Sequence, residues 1–344
     1  MAVPQKIAIN GFGRIGRLVL RGIIETGRTD VIPELINDLG NVEDLALLLR
    51  YDSVHGRFPG EIIVNGNTIT IKSKDGKRTW GPIKVTAERD PKALPLQGID
   101  VCMECTGIFR TKEKAQPLLD AGAKHVLISA PAKQVDATIV YGVDNEVLRP
   151  DMTVISNGSC TTNCLAPICK VLLDATGIKC GYMLTVHSFT GDQRTIDSIH
   201  KDPRRGRAAS VNMIPTKTGA AEAVAAVLPI LKGRLTGNAV RVPTPDVSFV
   251  ALDYIPERKP ASLDDVNNAM KKASEAGSLK GVLGYNTDPL VSSDFIHSPF
   301  SSIFDATETR WVNDGEIVHV SGWYDNEWGF SNRMSDVAAL YGEF

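Results

Sequence analysis

Lys6-Ile7-Ala8-Ile9-Asn10 is a short apolar strand, and Gly11-Phe12-Gly13-Arg14-Ile15-Gly16 follows it without a break. Leu18, Val19, Ile23 and Ile24 then recur at helical spacing up to a stop near Gly27. A second strand, residues 31–37, runs into Asp38, 22 positions beyond Gly16. Strand, glycine-spaced turn, helix, strand and acid in this order form the dinucleotide-binding fingerprint. The glycines at 11, 13 and 16 permit a tight turn, close approach of backbone N–H groups to a pyrophosphate, and close helix-to-strand packing. The helix N-terminus favours the phosphate charge, and Asp38 is placed to accept hydrogen bonds from ribose hydroxyls. Residues Gly11, Phe12, Gly13, Arg14, Ile15 and Gly16, with Asp38, are therefore candidate cofactor ligands.

The alternation of strand and helix continues. Residues 61–72 predict a hairpin around Asn65-Gly66-Asn67. A strand over 99–105 leads into Thr106-Gly107, a helix over 111–121 follows, and a strand over 125–129 ends at Ser129-Ala130. Thr106, Gly107 and Ser129 thus fall at the C-terminal ends of strands, where a doubly wound sheet lines its cofactor crevice. The expected fold is α/β: a Rossmann domain over residues 1–158, with a C-terminal helix within 326–344 packing back on it.

A second decisive stretch is Ser156-Asn157-Gly158-Ser159-Cys160-Thr161-Thr162-Asn163. Residues 152–155 read as a strand, and residues 165–173 recur at helical spacing down to Gly177. The polar run between them is a strand-to-helix turn, and it places Cys160 at or near the first helical residue. Free N–H groups and the positive end of the helix dipole collect there and stabilise a thiolate nucleophile. Beyond Gly177, longer β-branched strands over 182–187, 239–242, 248–254 and 316–323, with a helix over 262–274, predict an α+β domain over 159–325. Its sheet is expected to be mostly antiparallel. His187 ends the first of these strands and is the natural base for Cys160. The other histidines read as structural.

With 43% hydrophobic and 23% charged residues and a net charge of −2, nucleic acid is not predicted as a partner, nor is a membrane. The N-terminal residues enter a strand without a basic-then-apolar leader, so no signal peptide is expected. Cys102 and Cys105 have C-x-x-C spacing, but within a buried strand their side chains face opposite ways. No second pair follows, and no metal site is expected. Six cysteines without a disulfide framework suggest a reducing, cytoplasmic setting. A thiolate beside a nicotinamide cofactor narrows the chemistry further. It adds to an aldehyde, the thiohemiacetal gives up a hydride, and a nucleophile cleaves the thioester that remains.

Together with the octapeptide, residues 10–17, Thr190-Gly191-Asp192-Gln193, residues 215–221, residues 241–245 and Trp323-Tyr324-Asp325-Asn326-Glu327-Trp328-Gly329 resemble the phosphorylating glyceraldehyde-3-phosphate dehydrogenase family over the whole chain. The resemblance implies Cys160 as nucleophile and His187 as its activator. It implies a substrate-phosphate site at Thr190, Asp192 and Arg241, and an inorganic-phosphate site at Ser159, Thr161, Thr218 and Gly219. Asp192 cannot donate when ionised, so its expected role is to orient a neighbour. Arg204 is only weakly assigned to these sites, and Asn326 is expected to fix the nicotinamide carboxamide. The implied reaction converts glyceraldehyde 3-phosphate, NAD and inorganic phosphate to 1,3-bisphosphoglycerate and NADH in a homotetramer.

Three positions depart from the family's usual pattern: Gly158 where Ala is common, Ser198-Ile199 where strict NAD users have Leu-Pro, and Ile296-His297-Ser298-Pro299. Ser198 leaves room for a 2′-phosphate while the Asp38 charge repels one. The expectation is NAD preference with NADP as a second cofactor. Two alternative readings stand beside this one: erythrose-4-phosphate dehydrogenase, and a non-catalytic NAD-binding or RNA-binding protein.

Overall fold

A computed structural model describes residues 3–344; Met1 and Ala2, part of the stretch on which the signal-peptide expectation rests, lie outside the described residues. The chain divides into two compact units. One comprises the chain up to Ile139, Asn145–Gly158 and Ser331–Phe344; the other comprises Val140–Asp144 and Ser159–Phe330. The boundary thus falls inside the last helix, Trp328–Tyr341, and the second unit also takes in residues 140–144.

The first unit is built on one nine-stranded sheet. Seven strands run parallel, in the order Ala137–Thr138, Val154–Ser156, His125–Ile128, Val101–Glu104, Gln5–Asn10, Val31–Asn37 and Thr79–Thr86. The hairpin Gly60–Asn65/Thr68–Ser73 extends this edge antiparallel, turning through Gly66 and Asn67. Chain order reverses on either side of Gln5–Asn10, the switch point at which such sheets open a crevice beyond their strand ends. The centres of the middle strands are buried on both faces: Ile7, Ile9, Val101 and Met103 on one and Ala8 and Cys102 on the other are at most 1% exposed. Helix Arg14–Glu25 buries Leu18, Val19, Ile23 and Ile24 along one stripe. Two glycines have sterically fixed roles. Gly11 has φ +95°, and a Cβ there would lie 2.6 Å from the Thr106 nitrogen; a Cβ on Gly16 would lie 2.1 Å from the Gly11 carbonyl oxygen.

The second unit carries an eight-stranded sheet with Cys180–Ser188 near its centre. It is more mixed than expected. Cys180–Ser188 pairs in parallel with Leu235–Val242, and Leu283–Asn286 with Ser302–Asp305, while the remaining pairings are antiparallel. Helix Cys160–Ala175 places Leu165, Ile168 and Leu172 in one core with Val250, Leu252 and Val320. Each such fully buried side chain contributes about 1.5–3 kcal/mol of transfer free energy. Helix Leu263–Glu275 opens on a complete capping box, in which the Ser262 hydroxyl accepts from Asp265 N–H and the Asp265 carboxylate accepts from Ser262 N–H. Among the described residues no helix is long and apolar enough to cross a membrane.

Candidate active site

In the first unit, the end of strand Gln5–Asn10 opens a crevice of about 310 Å³. Its wall includes four of the expected cofactor ligands: Gly11, Gly13, Asp38 and Thr106. Gly13 is the N-cap of helix Arg14–Glu25, has no side-chain cap, and a Cβ there would meet nothing within 4 Å. Open space in front of uncapped helical N–H groups suits a phosphate. Asp38 is held in place by Phe12 N–H at 2.7 Å and Gly40 N–H at 3.1 Å, one on each carboxylate oxygen. Each oxygen keeps acceptor capacity for a ribose hydroxyl.

The other expected ligands have different surroundings. Phe12 is buried, Gly16 serves helix packing against the Gly11 carbonyl, and Ile15 is half-buried. Arg14 pairs with Asp52. Ser129 N–H donates to the Glu104 carbonyl, and Gly107 adopts φ +73° beyond the strand end. Sequence reasoning missed Asn10, Asn37, Glu88 and Arg89 in the crevice wall. The polar ends of the apolar strands 5–10 and 31–37 were the available signal.

In the second unit, Cys160 is the first residue of its helix, and the Ser159 hydroxyl caps that helix by accepting from Thr162 N–H at 3.0 Å. The Cys160 Sγ lies 3.5 Å from His187 Nε2. His187 Nδ1 is 2.7 Å from the Ser188 carbonyl oxygen, and Arg241 Nη1 stands 2.8 Å from the same Nδ1 and 3.0 Å from the same carbonyl. Nδ1 either donates to the carbonyl or accepts from Arg241, so the position of Arg241 decides whether Nε2 is a free base.

Burial pushes the Cys160 thiol up, against the Arg241 charge, the Thr161 hydroxyl and the N–H groups of Thr161 and Cys160; the helix start does not by itself give a low thiol pKa. Burial, then the Arg241 charge, pushes His187 down to about 3. Each group alone is therefore held neutral. A proton passing from Sγ to Nε2 leaves the net charge of the pair unchanged.

Tyr324, which sequence reasoning did not single out, anchors the floor of this site. Its hydroxyl is 2.9 Å from both Thr161 Oγ1 and Thr185 Oγ1, and its ring meets His187 edge-on at 5.8 Å. Thr161 Oγ1 thus pairs inward with the Tyr324 hydroxyl, and Ser159 Oγ, which accepts in the cap, also lies 2.7 Å from Thr162 Oγ1. Thr218 Oγ1 accepts from Ala220 N–H, and Gly219 is the uncapped start of helix Ala220–Val227. Asp192 pairs with Arg205 at 2.7 Å, and Arg205 also donates to Thr216 Oγ1 at 3.0 Å. Thr190 N–H points to Gln193 Oε1 at 3.4 Å, and Arg204 is exposed near the Pro215 carbonyl.

Asn326 Oδ1 accepts from both Ser188 Oγ and Ser248 Oγ at 2.8 Å, which leaves its Nδ2 as donor. The turn beneath it is tightly fixed. Asp325 accepts from the N–H groups of His297, Glu327 and Trp328, and the His297 ring stacks on Trp328 at 3.6 Å. This accounts physically for the unusual segment 296–299: it buttresses the Asp325-Asn326 turn. The adjoining Val247 has φ +63°, a strained conformation for a β-branched residue that costs about 1–3 kcal/mol. Gly158, by contrast, suits its φ of +67°.

Comparison with known proteins gives two family matches. The NAD binding domain of glyceraldehyde 3-phosphate dehydrogenase matches residues 5–112, and its C-terminal domain matches residues 159–326. Proteins named glyceraldehyde-3-phosphate dehydrogenase from Cereibacter sphaeroides and Xanthobacter flavus are 56% and 55% identical, each match covering 98% of both chains. One of the same name from Geobacillus stearothermophilus is 52% identical over 97% of both.

Proposed function

The chain belongs to the glyceraldehyde-3-phosphate dehydrogenase family, and from that premise we propose how its own residues carry out the oxidative phosphorylation of D-glyceraldehyde 3-phosphate. The reaction proceeds through covalent attachment to Cys160, and the observation that carries this reading is the 3.5 Å approach of Cys160 Sγ to His187 Nε2 at a helix N-terminus. Sγ attacks the aldehyde carbon while His187 Nε2 takes the thiol proton and returns it to the former carbonyl oxygen, so that the thiohemiacetal forms with His187 neutral again. The substrate phosphate binds Arg241 and Thr190, with Arg205 held beside them by Asp192. Drawing Arg241 to that phosphate lets Nδ1 donate to the Ser188 carbonyl and frees Nε2 as base.

NAD, bound at the glycine-spaced turn, supplies the hydride acceptor, with Asn326 Nδ2 donating to its carboxamide. His187 takes the hydroxyl proton of the thiohemiacetal as its C–H leaves as hydride, and a thioester remains on Cys160. Inorganic phosphate then attacks the acyl carbon from a site formed by Thr218, Gly219 and the helix start at Ser159 and Thr161. The C–S bond breaks, the acyl phosphate forms, and the thiolate returns. The Asp38 carboxylate at the ribose favours NAD over NADP; Ser198 leaves NADP as a weaker second cofactor. A homotetramer in a reducing, cytoplasmic setting accords with six free thiols and the family assignment.

The test is steady-state NADH formation from glyceraldehyde 3-phosphate with and without inorganic phosphate, repeated with NADP. Phosphate-dependent turnover with higher catalytic efficiency for NAD is expected. Phosphate-independent turnover, with erythrose 4-phosphate the better substrate, would overturn the reading, as would equal or better efficiency with NADP for the cofactor assignment.

A further inference from the structure

Glu104 ends strand Val101–Glu104 with its side chain fully buried, and among the described residues no cation pairs with it. Donors from Thr106, Asn10 and the Gly107 backbone converge on its carboxylate instead. Oε1 accepts from the Thr106 backbone N–H at 2.9 Å and from the Thr106 hydroxyl, and Oε2 accepts from Asn10 Nδ2 at 2.5 Å. Asn10 Oδ1 in turn accepts from Asn37 Nδ2 at 2.8 Å, and Asn37 Oδ1 accepts from the Thr86 hydroxyl and Glu88 N–H, each at 2.9 Å. This hydrogen-bonded chain crosses the ends of four parallel strands beneath the glycine turn. Asn10, Asn37, Glu88 and Thr106 all line the crevice above it.

The Thr106 hydroxyl can be ordered in two ways. With Glu104 ionised, its single proton is given inward to Oε1, while its oxygen accepts from Ile108 N–H at 3.0 Å. With Glu104 protonated, the carboxyl O–H donates to Thr106 Oγ1, and the threonine's own proton turns outward into the crevice. A dinucleotide presents anionic acceptors in that crevice and repels a carboxylate under it, so both effects favour the second arrangement. We propose that Glu104 is a positioning residue of the dinucleotide site, which takes up one proton from solvent as the cofactor binds and thereby turns Thr106 into a donor toward the ligand.

The inference rests on reading this crevice as the dinucleotide site. Burial raises the Glu104 carboxyl to about 7, against the hydrogen bonds from Thr106, Asn10 and Gly107, so both forms coexist near neutral pH. The neighbouring thiols stay protonated there. Burial pushes Cys102 well up and Cys105 up to about 12. The flanking strands oppose Glu104 with Asn10 and Ile128, and the charged groups lining the crevice are Asp38, Glu88 and Arg89.

The test is calorimetric titration of NAD into the full-length protein at pH 7, in buffers of different ionisation enthalpy. If cofactor binding strengthens the carboxyl's hold on its proton tenfold, about 0.4 proton is taken up per chain at pH 7. By linkage, NAD then binds about tenfold more tightly below pH 6 than above pH 9. Glu104→Gln is expected to abolish the uptake and flatten the pH profile. Thr106→Val leaves the carboxyl in place, guards against a folding failure of the first variant, and is expected to at least halve the uptake. NAD binding without proton uptake, or with uptake unchanged in both variants, would overturn the inference alone. Failure of the unsubstituted protein to bind NAD at all would overturn the dinucleotide reading beneath it.

Discussion

Replacing Tyr324 with Phe removes one oxygen from the floor of the site and leaves the ring. That oxygen is 2.9 Å from two threonine hydroxyls, Thr161 at the first helical turn and Thr185 in the central strand, and all three side chains are buried. No water replaces the lost partner without a polar space for it. An orphaned buried hydroxyl costs about 1–3 kcal/mol, and Thr161 can recover part of this by turning to a helical carbonyl. The expected loss is therefore about 2–4 kcal/mol, which for a unit of this size lowers the unfolding temperature by about 5–15 °C. Scanning calorimetry measures it directly. The triple variant Tyr324→Phe/Thr161→Val/Thr185→Val removes all three polar groups together and is expected to return to within about 1 kcal/mol of the parent. A single-variant loss below about 0.5 kcal/mol, or a triple variant less stable than the single, would refute the assignment of the cost to orphaned hydroxyls.

Two further perturbations follow from the same geometry. His187→Asn removes the proton acceptor 3.5 Å from Sγ and leaves burial to dominate the thiol. Alkylation of Cys160 by neutral iodoacetamide should then need higher pH, slowing at least about tenfold at pH 7, since one pKa unit is a tenfold change in thiolate; an unchanged pH profile would argue against the pair. Gly16→Ala forces a Cβ to within 2.1 Å of the Gly11 carbonyl oxygen. The helix must move off the strand, so NAD affinity measured by titration should fall by about tenfold or more while thiol reactivity at Cys160 holds; unaltered affinity would mean the turn does not set the cofactor site.

The parts of this molecule legible in the sequence are those whose physics is local. The glycine turn at 11–16 is fixed by sterics between residues five apart, and Cys160 as the first helical residue follows from its polar run and Ser159 cap. What escaped is made by groups distant in sequence. Tyr324 meets Thr161 across 163 positions, and Glu104 meets Asn10 across 94; nothing in the residues near either announces the contact. The parallel pairing of Cys180–Ser188 with Leu235–Val242 was likewise invisible, because alternation reports which face a strand buries and not which neighbour it takes. Short strands such as Ile214–Lys217, with Pro215 inside it, and Leu283–Asn286, with Gly284, carry too few periodic residues to register.

The claim on which the account depends is that Cys160 carries the acyl group and inorganic phosphate releases it. Mixing the protein with NAD and glyceraldehyde 3-phosphate without phosphate, then stopping the reaction and weighing the peptide that contains residue 160, tests it directly. The account predicts a burst of about one NADH per chain with an acyl adduct on Cys160, and restored turnover and loss of the adduct once phosphate is added. Continued turnover without phosphate, or an adduct on any residue other than Cys160, would contradict it.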